Sequence, residues 1–355
     1  MSLVDQIKII PLLDTLRLQK ISDEEYFSEQ YSDYISNSRL SFINPNQEGN
    51  PQKFLDGFKE NRIFSDSLTL GSQVHQLILQ PEYFELPPDL NRPTAKVGFI
   101  ADELYPIVKK EQRMPTHEEF LNACLIVDYY KGNPSEKKQE EILPLINAYL
   151  KKRMAYESQP HDKDCTPYLD SKTLDKASGC INALKNNKKV QSLLHPTGIV
   201  EDPISECEQA ILLDVEVYCP ELPSFIVKLK SKLDNYTIDI ENNTITVNDV
   251  KTIGRTLDMC DDQIQKYHYH REMAMYCYLL SECTKKFYNM EKFTIKSNFL
   301  WVSTIPTYYT KVTPMTSKLF KQGFNEFKDL LRRAAISIYF KDSEKAEQYI
   351  NKYEQ

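Results

Sequence analysis

Near residue 207 the hydrophobic pattern changes period, and that change constrains the fold more than any other feature of the chain. Before it, apolar residues recur at helical spacing, as in Leu68 to Leu79, where Leu70, Val74, Leu77 and Ile78 share a face and Pro81 follows the end. After it, Ala210 to Tyr218 is rich in β-formers and Phe225 to Ile240 alternates residue by residue. Glu241-Asn242-Asn243-Thr244 marks a tight turn, because Asn tolerates the left-handed backbone that hairpins need, and Ile245 to Thr252 is the return strand. A helix over about 262–281, a strand over about 297–303 and a helix over about 317–339 follow. Strands, helix, strand and helix in this order predict an α/β (α+β) fold, a central mixed sheet flanked by helices.

The first sixty residues are predicted helical in pieces, broken at Asn44-Pro45-Asn46 and Gly49-Asn50-Pro51, and 85–96 is a Pro-rich connector. Residues 101–156 and 171–194 are again helical and charged, which makes a large helical N-terminal and inserted region. At 355 residues the chain has about two domains' worth of length. It is divided here as one domain with a helical part over 1–84, a mostly helical insertion over 85–200, an α/β core over 201–340 and a tail over 341–355.

Composition excludes some functions. Lys+Arg 44 against Asp+Glu 51 leaves a net charge of −7, which argues against a surface that coats nucleic acid but not against a local basic channel. The nine glycines are dispersed, so neither a G-x-G-x-x-G turn nor a G-x-x-x-x-G-K loop exists and no nucleotide cofactor is expected. The eight cysteines contain no C-x-x-C and are expected to be buried or idle thiols. The start, Met1-Ser2-Leu3-Val4-Asp5, lacks a signal-peptide pattern and no run reaches the length of a membrane helix. A cytoplasmic protein without membrane partners is the expectation.

Chemistry concentrates in the hairpin. Residues two apart on a strand share a face, so Lys228, Lys230, Lys232 and Asp234 point one way, and Asp249 and Lys251 share a face on the return strand. With Asn242-Asn243 as a two-residue turn, Glu241 pairs with Thr244, Asp234 lies opposite Lys251, and Asp249 is its diagonal neighbour. Two carboxylates so placed can converge on one divalent cation, with a lysine beside them. The plain alternative is a surface hairpin with Asp–Lys pairs, which contribute little to stability.

Four segments, taken in order, resemble the PD-(D/E)XK nuclease superfamily, and within it the phage-type exonuclease branch with RecE-like and lambda-exonuclease-like members. Ser36-Asn37-Ser38-Arg39-Leu40 resembles its S-x-S-x-L. Leu70-Gly71-Ser72-Gln73-Val74-His75, with Leu79-Gln80-Pro81-Glu82-Tyr83-Phe84, resembles G-x-x-x-H…L-x-P-x-x-F. Lys232-Leu233-Asp234 and Asn248-Asp249-Val250-Lys251-Thr252 resemble the catalytic strands, and Tyr269 to Tyr276 is similar to the Q-x-x-x-Y helix. Leu233 stands where the superfamily name has proline, and Glu272 where the helix glutamine is usual.

The resemblance implies a Mg²⁺- or Mn²⁺-dependent DNA exonuclease acting from ends of linear duplex, in phage-type recombination or replication in a bacterial or phage-infected cell. Asp234 and Asp249 would hold the metal with the Val250 carbonyl, His75 would add a ligand, and Lys251 would position the attacking water. For His75, a satisfied histidine on a buried helix stays open. Glu206 and Glu208 are both candidates for the upstream acid, with Glu208 nearer the apolar run. Glu272 and Tyr276 would support the site or contact DNA, and Lys230 and Lys232, with Lys228, Lys185, Lys188 and Lys189, would line a phosphate path. No iron–sulfur cluster is expected, since Cys277 and Cys283 are the only close cysteine pair. A single-strand annealing recombinase and a homo-oligomeric ring are the implied partners. A structure-specific endonuclease on the same core, and a non-catalytic DNA- or recombinase-binding protein, are the alternatives.

Overall fold

The computed structural model describes residues 3–57, 65–196, 204–218 and 224–354. Cys219 and the boundary drawn at residues 200–201 lie outside the described residues. The chain divides into two compact units: Met1–Asn61, Asn187–Val302 and Thr310–Gln355 form the first, and Arg62–Asn186 with Ser303–Tyr309 the second. Sheet and helices together make the mixed α/β, α+β architecture that the change of period predicts.

The first unit is built on a seven-stranded sheet: β1 (Lys8–Pro11), β2 (Arg17–Lys20), β3 (Ile204–Tyr218), β4 (Phe225–Asp239), β5 (Thr244–Ile253), β6 (Thr294–Ser303) and β7 (Thr310–Pro314), in the order β1-β3-β4-β5-β6-β7, with β2 also on β3. β1 and β2 are antiparallel to β3, against Val215–Tyr218 at its C-terminal end and Gln209–Leu212 in its middle. These two strands replace the helical pieces expected there. Each spans four residues, too few for a period to declare itself, and pairing with the long strand β3 decides their conformation. Between them Thr15 Oγ1 accepts the Asp214 amide at 2.9 Å, which ties the connection between β1 and β2 to β3.

The β4–β5 hairpin differs from the expected register. Asp239, not Glu241, pairs with Thr244. Asp239 accepts hydrogen bonds from the Asn242 amide at 3.0 Å and from Asn242 Nδ2 at 2.8 Å, and this closes a four-residue turn in place of Asn242-Asn243 alone. The pairing shifts by two residues, so every side chain keeps its face while its partner changes. Asn235 pairs with Asn248, and continuing that register sets Asp234 opposite Asp249, where Lys251 had been expected. Buried amides fix this register: Asn248 Nδ2 donates to Asn235 Oδ1 at 2.8 Å and Asn298 Nδ2 to Asn248 Oδ1 at 3.0 Å, a ladder across β4, β5 and β6.

Helices α1 (Cys260–Lys266) and α2 (Tyr269–Tyr288) take the place of the single expected helix, because His268 between them adopts the left-handed conformation (φ 56°). α2 ends at Asn289, also left-handed, whose N–H caps Thr284. α3 (Ser317–Phe340) starts on Thr316, whose side chain accepts the Leu319 amide. Met273, Cys277, Leu280, Phe299, Trp301, Phe327 and Leu331 pack with Leu213 and Leu229 into the unit's main core. Truncating one of these leucines to alanine costs about 2–5 kcal/mol. Residues 341–355 contain α4 (Ser343–Glu354), whose Ala346 and Ile350 are buried against Ile336.

The second unit is helical, with helices Asp66–Leu79, Ala95–Glu111, His117–Ile126, Glu136–Glu157 and Ser171–Asn186 and a short parallel strand pair, Phe84–Glu85 with Asp164–Cys165. Its core gathers Ile100, Leu104, Val108, Phe120, Ile146 and Tyr149. Among the described residues no helix is long and apolar enough to cross a membrane.

Candidate active site

Strands β4 and β5 bring Asp234, Asp249 and Lys251 together at the sheet, and α2 adds Glu272, Tyr276 and Tyr269. Asp249 is buried to 1% exposure and Asp234 to 9%. Asp234 Oδ2 accepts the Val250 amide at 2.7 Å, which holds that carboxylate against the neighbouring strand. Lys251 Nζ lies 3.0 Å from Asp249 and 3.0 Å from Glu272 Oε2, and 4.6 Å from the centre of the Tyr269 ring. Tyr276 donates from its hydroxyl to Glu272 Oε1 at 3.1 Å. The lysine is thus held by two carboxylates and an aromatic face, and the second carboxylate is itself held by a tyrosine. Glu272, where glutamine is usual in the resembling motif, pairs with Lys251.

The electrostatics follow from burial. Burial pushes the Asp249 carboxyl up to about 8; Lys251 opposes this, while Asp234 and Glu272 add to it. For Lys251 burial acts downward, and the carboxylates of Asp249, Glu272 and Asp234 outweigh it, so the ammonium stays charged well above its usual range. Burial also raises the Tyr276 hydroxyl, reinforced by Glu272, and keeps it a donor. Asp249 Oδ2 is buried and accepts no aligned hydrogen bond: Lys251 Nζ lies 3.0 Å from it but donates to Oδ1. A buried carboxylate is costly unless a cation faces it, and here the lysine ammonium does so.

Glu208 and Glu206, the two candidates for the upstream acid, are placed differently, and it is Glu208 that faces Asp234. It lies between the pairs Cys207–Asn235 and Gln209–Leu233, hence opposite Asp234, and its φ of 55° departs from the strand. A carboxylate oxygen of Glu208 and one of Asp234 lie within 4.8 Å of each other. A non-glycine residue in this conformation costs on the order of 1–3 kcal/mol, a strain that clusters at functional sites. Glu206 is instead engaged by Gln209 Nε2 at 3.3 Å. Glu208 and Asp234 thus offer two hard carboxylates close together, with Asp249 across the strand from Asp234, and carboxylates of this kind suit a divalent cation of the Mg²⁺ type.

The lysines of β4 are placed differently from one another. Lys232 Nζ lies 2.5 Å from Asp23 Oδ1 and 3.1 Å from Glu208 Oε2; burial lowers it, and Glu208 and Asp23 outweigh that and raise it. Lys230 is buried, donates to the Tyr26 carbonyl at 2.8 Å and sits 4.5 Å from the Tyr26 ring centre. Lys228 is exposed, with Asp33 at 4.0 Å. Asp23 and Tyr26 lie outside the resembling motifs, and Tyr269 opens the last segment without standing at one of its defining positions; only the fold brings them here. His75 belongs to the second unit, half-buried on Asp66–Leu79. Lys185, Lys188 and Lys189 are exposed. Cys277 and Cys283 are buried, and burial pushes each thiol up to about 12.

No family model and no curated protein matches the chain. Among solved structures it is similar to a crystal structure from Eubacterium rectale named "putative exonuclease", at 11% identity and a TM-score of 0.46, over 90% of this chain and 86% of that chain. A likeness this distant carries no weight for the chemistry.

Proposed function

We propose that the chain is a divalent-metal-dependent deoxyribonuclease that hydrolyses phosphodiester bonds of linear duplex DNA from its ends. The observation that carries this reading is the buried Asp249 carboxylate, opposite Asp234 and 3.0 Å from a charged lysine, whose Oδ2 accepts no aligned hydrogen bond. The order of the resembling motifs supports it from the sequence side, and His75 and the Val250 carbonyl enter the proposal on that resemblance alone.

In this reading Asp234, Asp249 and Glu208 hold Mg²⁺ or Mn²⁺. A bound dication supplies charge neutralisation at the phosphoryl oxygens and a more acidic water. The rest belongs to the chain. Lys251 stays protonated, so it acts as a hydrogen-bond donor that fixes a water or a phosphate oxygen, not as a general base. Glu272 aims Lys251, and Tyr276 aims Glu272. Val250 N–H keeps the Asp234 carboxylate turned toward its partners. Lys232, tied to Glu208 and Asp23, balances the negative charge of the site.

Incubation of linear and circular duplex DNA with Mg²⁺ or Mn²⁺ tests the proposal. Linear DNA is expected to be degraded and closed circles spared, with Asp249→Ala and Lys251→Ala both inactive. Nicking of circles would move the reading to an endonuclease. Full activity in both variants would overturn the assigned site, and DNA binding without cleavage at any metal would favour a non-catalytic role.

A further inference from the structure

At the start of the lysine-holding helix, His268 before its first residue and His270 in its first turn meet a glutamate of α3. His268 Nδ1 lies 2.6 Å from Glu326 Oε1 and His270 Nε2 lies 3.1 Å from Glu326 Oε2. The three ligand atoms all fall within 4.8 Å of one another. Despite these short distances, neither nitrogen makes a hydrogen bond of acceptable geometry, and both are buried. The rings stand 5.8 Å apart, nearly parallel.

The tautomer sharpens this. His270 Nδ1 is 3.2 Å from the Ile264 carbonyl, which can only accept, so Nδ1 carries the proton. In a neutral imidazole Nε2 then presents a lone pair to a carboxylate oxygen, and two acceptors face each other at 3.1 Å. That contact needs a positive bridge. A backbone carbonyl that takes the second ring proton is also the usual support of a metal-bound histidine.

The surroundings are shaped for the same end. His268 is held left-handed at φ 56°, a strained setting for a non-glycine residue. Gly323, three residues before Glu326, lets α3 touch the first turn of α2; a Cβ there would come 2.1 Å from the His270 carbonyl oxygen. Arg271 Nη1 and Asn44 Nδ2 both donate to Glu326 Oε1, at 2.9 and 3.0 Å, and hold the carboxylate so that Oε2 faces His270. The Arg271 charge offsets that of Glu326, so the affinity rests mainly on the imidazoles. The side chains of His268 and Glu326 keep 13% and 16% exposure, which leaves a path for an ion and a position for water.

We infer that His268, His270 and Glu326 form a binding site for a first-row transition-metal dication, zinc foremost, with water as the fourth ligand. Two imidazole nitrogens and one carboxylate suit zinc, whereas the carboxylates of β3, β4 and β5 suit a harder ion, so the two sites select different metals. Zinc here would clamp the first turn of α2 onto α3 and hold the helix that carries Glu272. The inference does not depend on the nuclease reading.

Full-length protein, stripped with a chelator and dialysed, is titrated with zinc chloride by calorimetry, both as wild type and as Asp249→Asn, which disables the carboxylate site. One zinc per chain is expected in Asp249→Asn, with visible absorption bands of a four-coordinate site when cobalt replaces zinc. His270→Gln and Glu326→Gln are each expected to weaken binding by at least about tenfold, and circular dichroism confirms that they fold. His268→Gln, at the more exposed position, supplies the third ligand test should either fail to fold. Absence of saturable zinc binding by the folded wild type overturns the site, as does unchanged affinity in His268→Gln and His270→Gln. A melting temperature that falls as pH rises through about 6.5, with no response to zinc, would also overturn it, because a protonated imidazolium would then be the bridge.

Discussion

Both units bury a basic side chain among carboxylates and tyrosines, yet the carboxylates at their centres are hydrogen-bonded to different degrees. In the second unit Arg153 lies 3.8 Å from the Tyr105 ring centre and 4.3 Å from that of Tyr168, and donates to Glu157 at 2.8 Å and to Asp102 at 3.3 Å. Both oxygens of Asp102 are used, one by Tyr149 and Arg153, the other by Arg92 through two nitrogens. In the first unit Lys251 is held as closely, but Asp249 Oδ2, though 3.0 Å from the ammonium, accepts no aligned hydrogen bond. A completed network rigidifies a fold; an incomplete one stores an unmet demand for charge, which a ligand can meet.

The largest test of this contrast is functional. Asp249→Ala and Lys251→Ala are expected to lower DNA cleavage by about 10²–10³-fold or more, read by loss of linear duplex at saturating metal. Next comes stability. Arg153→Ala leaves Asp102 and Glu157 without their shared partner and removes two aromatic contacts, so the second unit should lose about 3 kcal/mol in urea unfolding. An unchanged urea midpoint would break the comparison, since the completed network would then contribute nothing.

A third test uses the sign of a titration. The Asp249 carboxyl is pushed up to about 8 by burial, against an ordinary value near 3.8. A raised carboxyl favours the protonated form in the fold, so its contribution is complete below about pH 4 and is lost as pH rises through about 8. In chelator, the wild-type melting temperature is therefore expected to fall between about pH 4 and pH 8 relative to Asp249→Asn, whose amide does not ionise, and to run parallel to it above that range. Added Mg²⁺ or Mn²⁺ should reverse the loss in wild type only. Parallel pH curves for the two proteins within that range too would mean that Asp249 ionises without penalty and that the unmet oxygen is not one.

How much of this was legible follows from what each feature depends on. The common face of Asp249 and Lys251 needs only the period of a strand, so sequence suffices, and a two-residue change in turn length cannot alter it. The partner of Asp234 depends on that turn. Asn242-Asn243 resembles a two-residue hairpin turn, but the Asp239 side chain closes a longer one, which no spacing rule weighs. Lys230 looked like surface charge by alternation; it is buried because Tyr26, two hundred residues earlier, roofs it. The His268–His270–Glu326 group joins residues more than fifty apart through a glycine contact between helices, and only His-x-His was visible beforehand. β1 and β2 are set by their neighbour β3 and not by their own four residues.

The smallest test asks whether completeness matters where water already helps. Thr116 and Glu119 form a reciprocal capping box at the start of His117–Ile126: Glu119 N–H donates to Thr116 Oγ1 at 3.3 Å, and Thr116 N–H to Glu119 Oε2 at 2.7 Å. Arg113 adds bonds of 2.8 and 2.6 Å to the same carboxylate. The Arg113 hydrogen bonds, then the Thr116 amide, hold the Glu119 carboxyl at about 2, below its ordinary 4.5. A lowered carboxyl contributes above its unfolded value and loses that contribution as pH falls, here between about pH 5 and pH 2. Because the group is exposed, water and salt screen most of this, so the Thr116→Ala cap loss, about 1 kcal/mol, should be the larger of the two effects. Glu119→Gln keeps the cap geometry but not the charge. Its melting temperature is expected to differ from wild type by a small margin at pH 7, and the margin should vanish near pH 2 and shrink in high salt. A margin that persists unchanged in salt would show that the exposed pair behaves like the buried ones, and would remove burial from the explanation of why an unmet oxygen matters at Asp249 and a well-met one matters so little here.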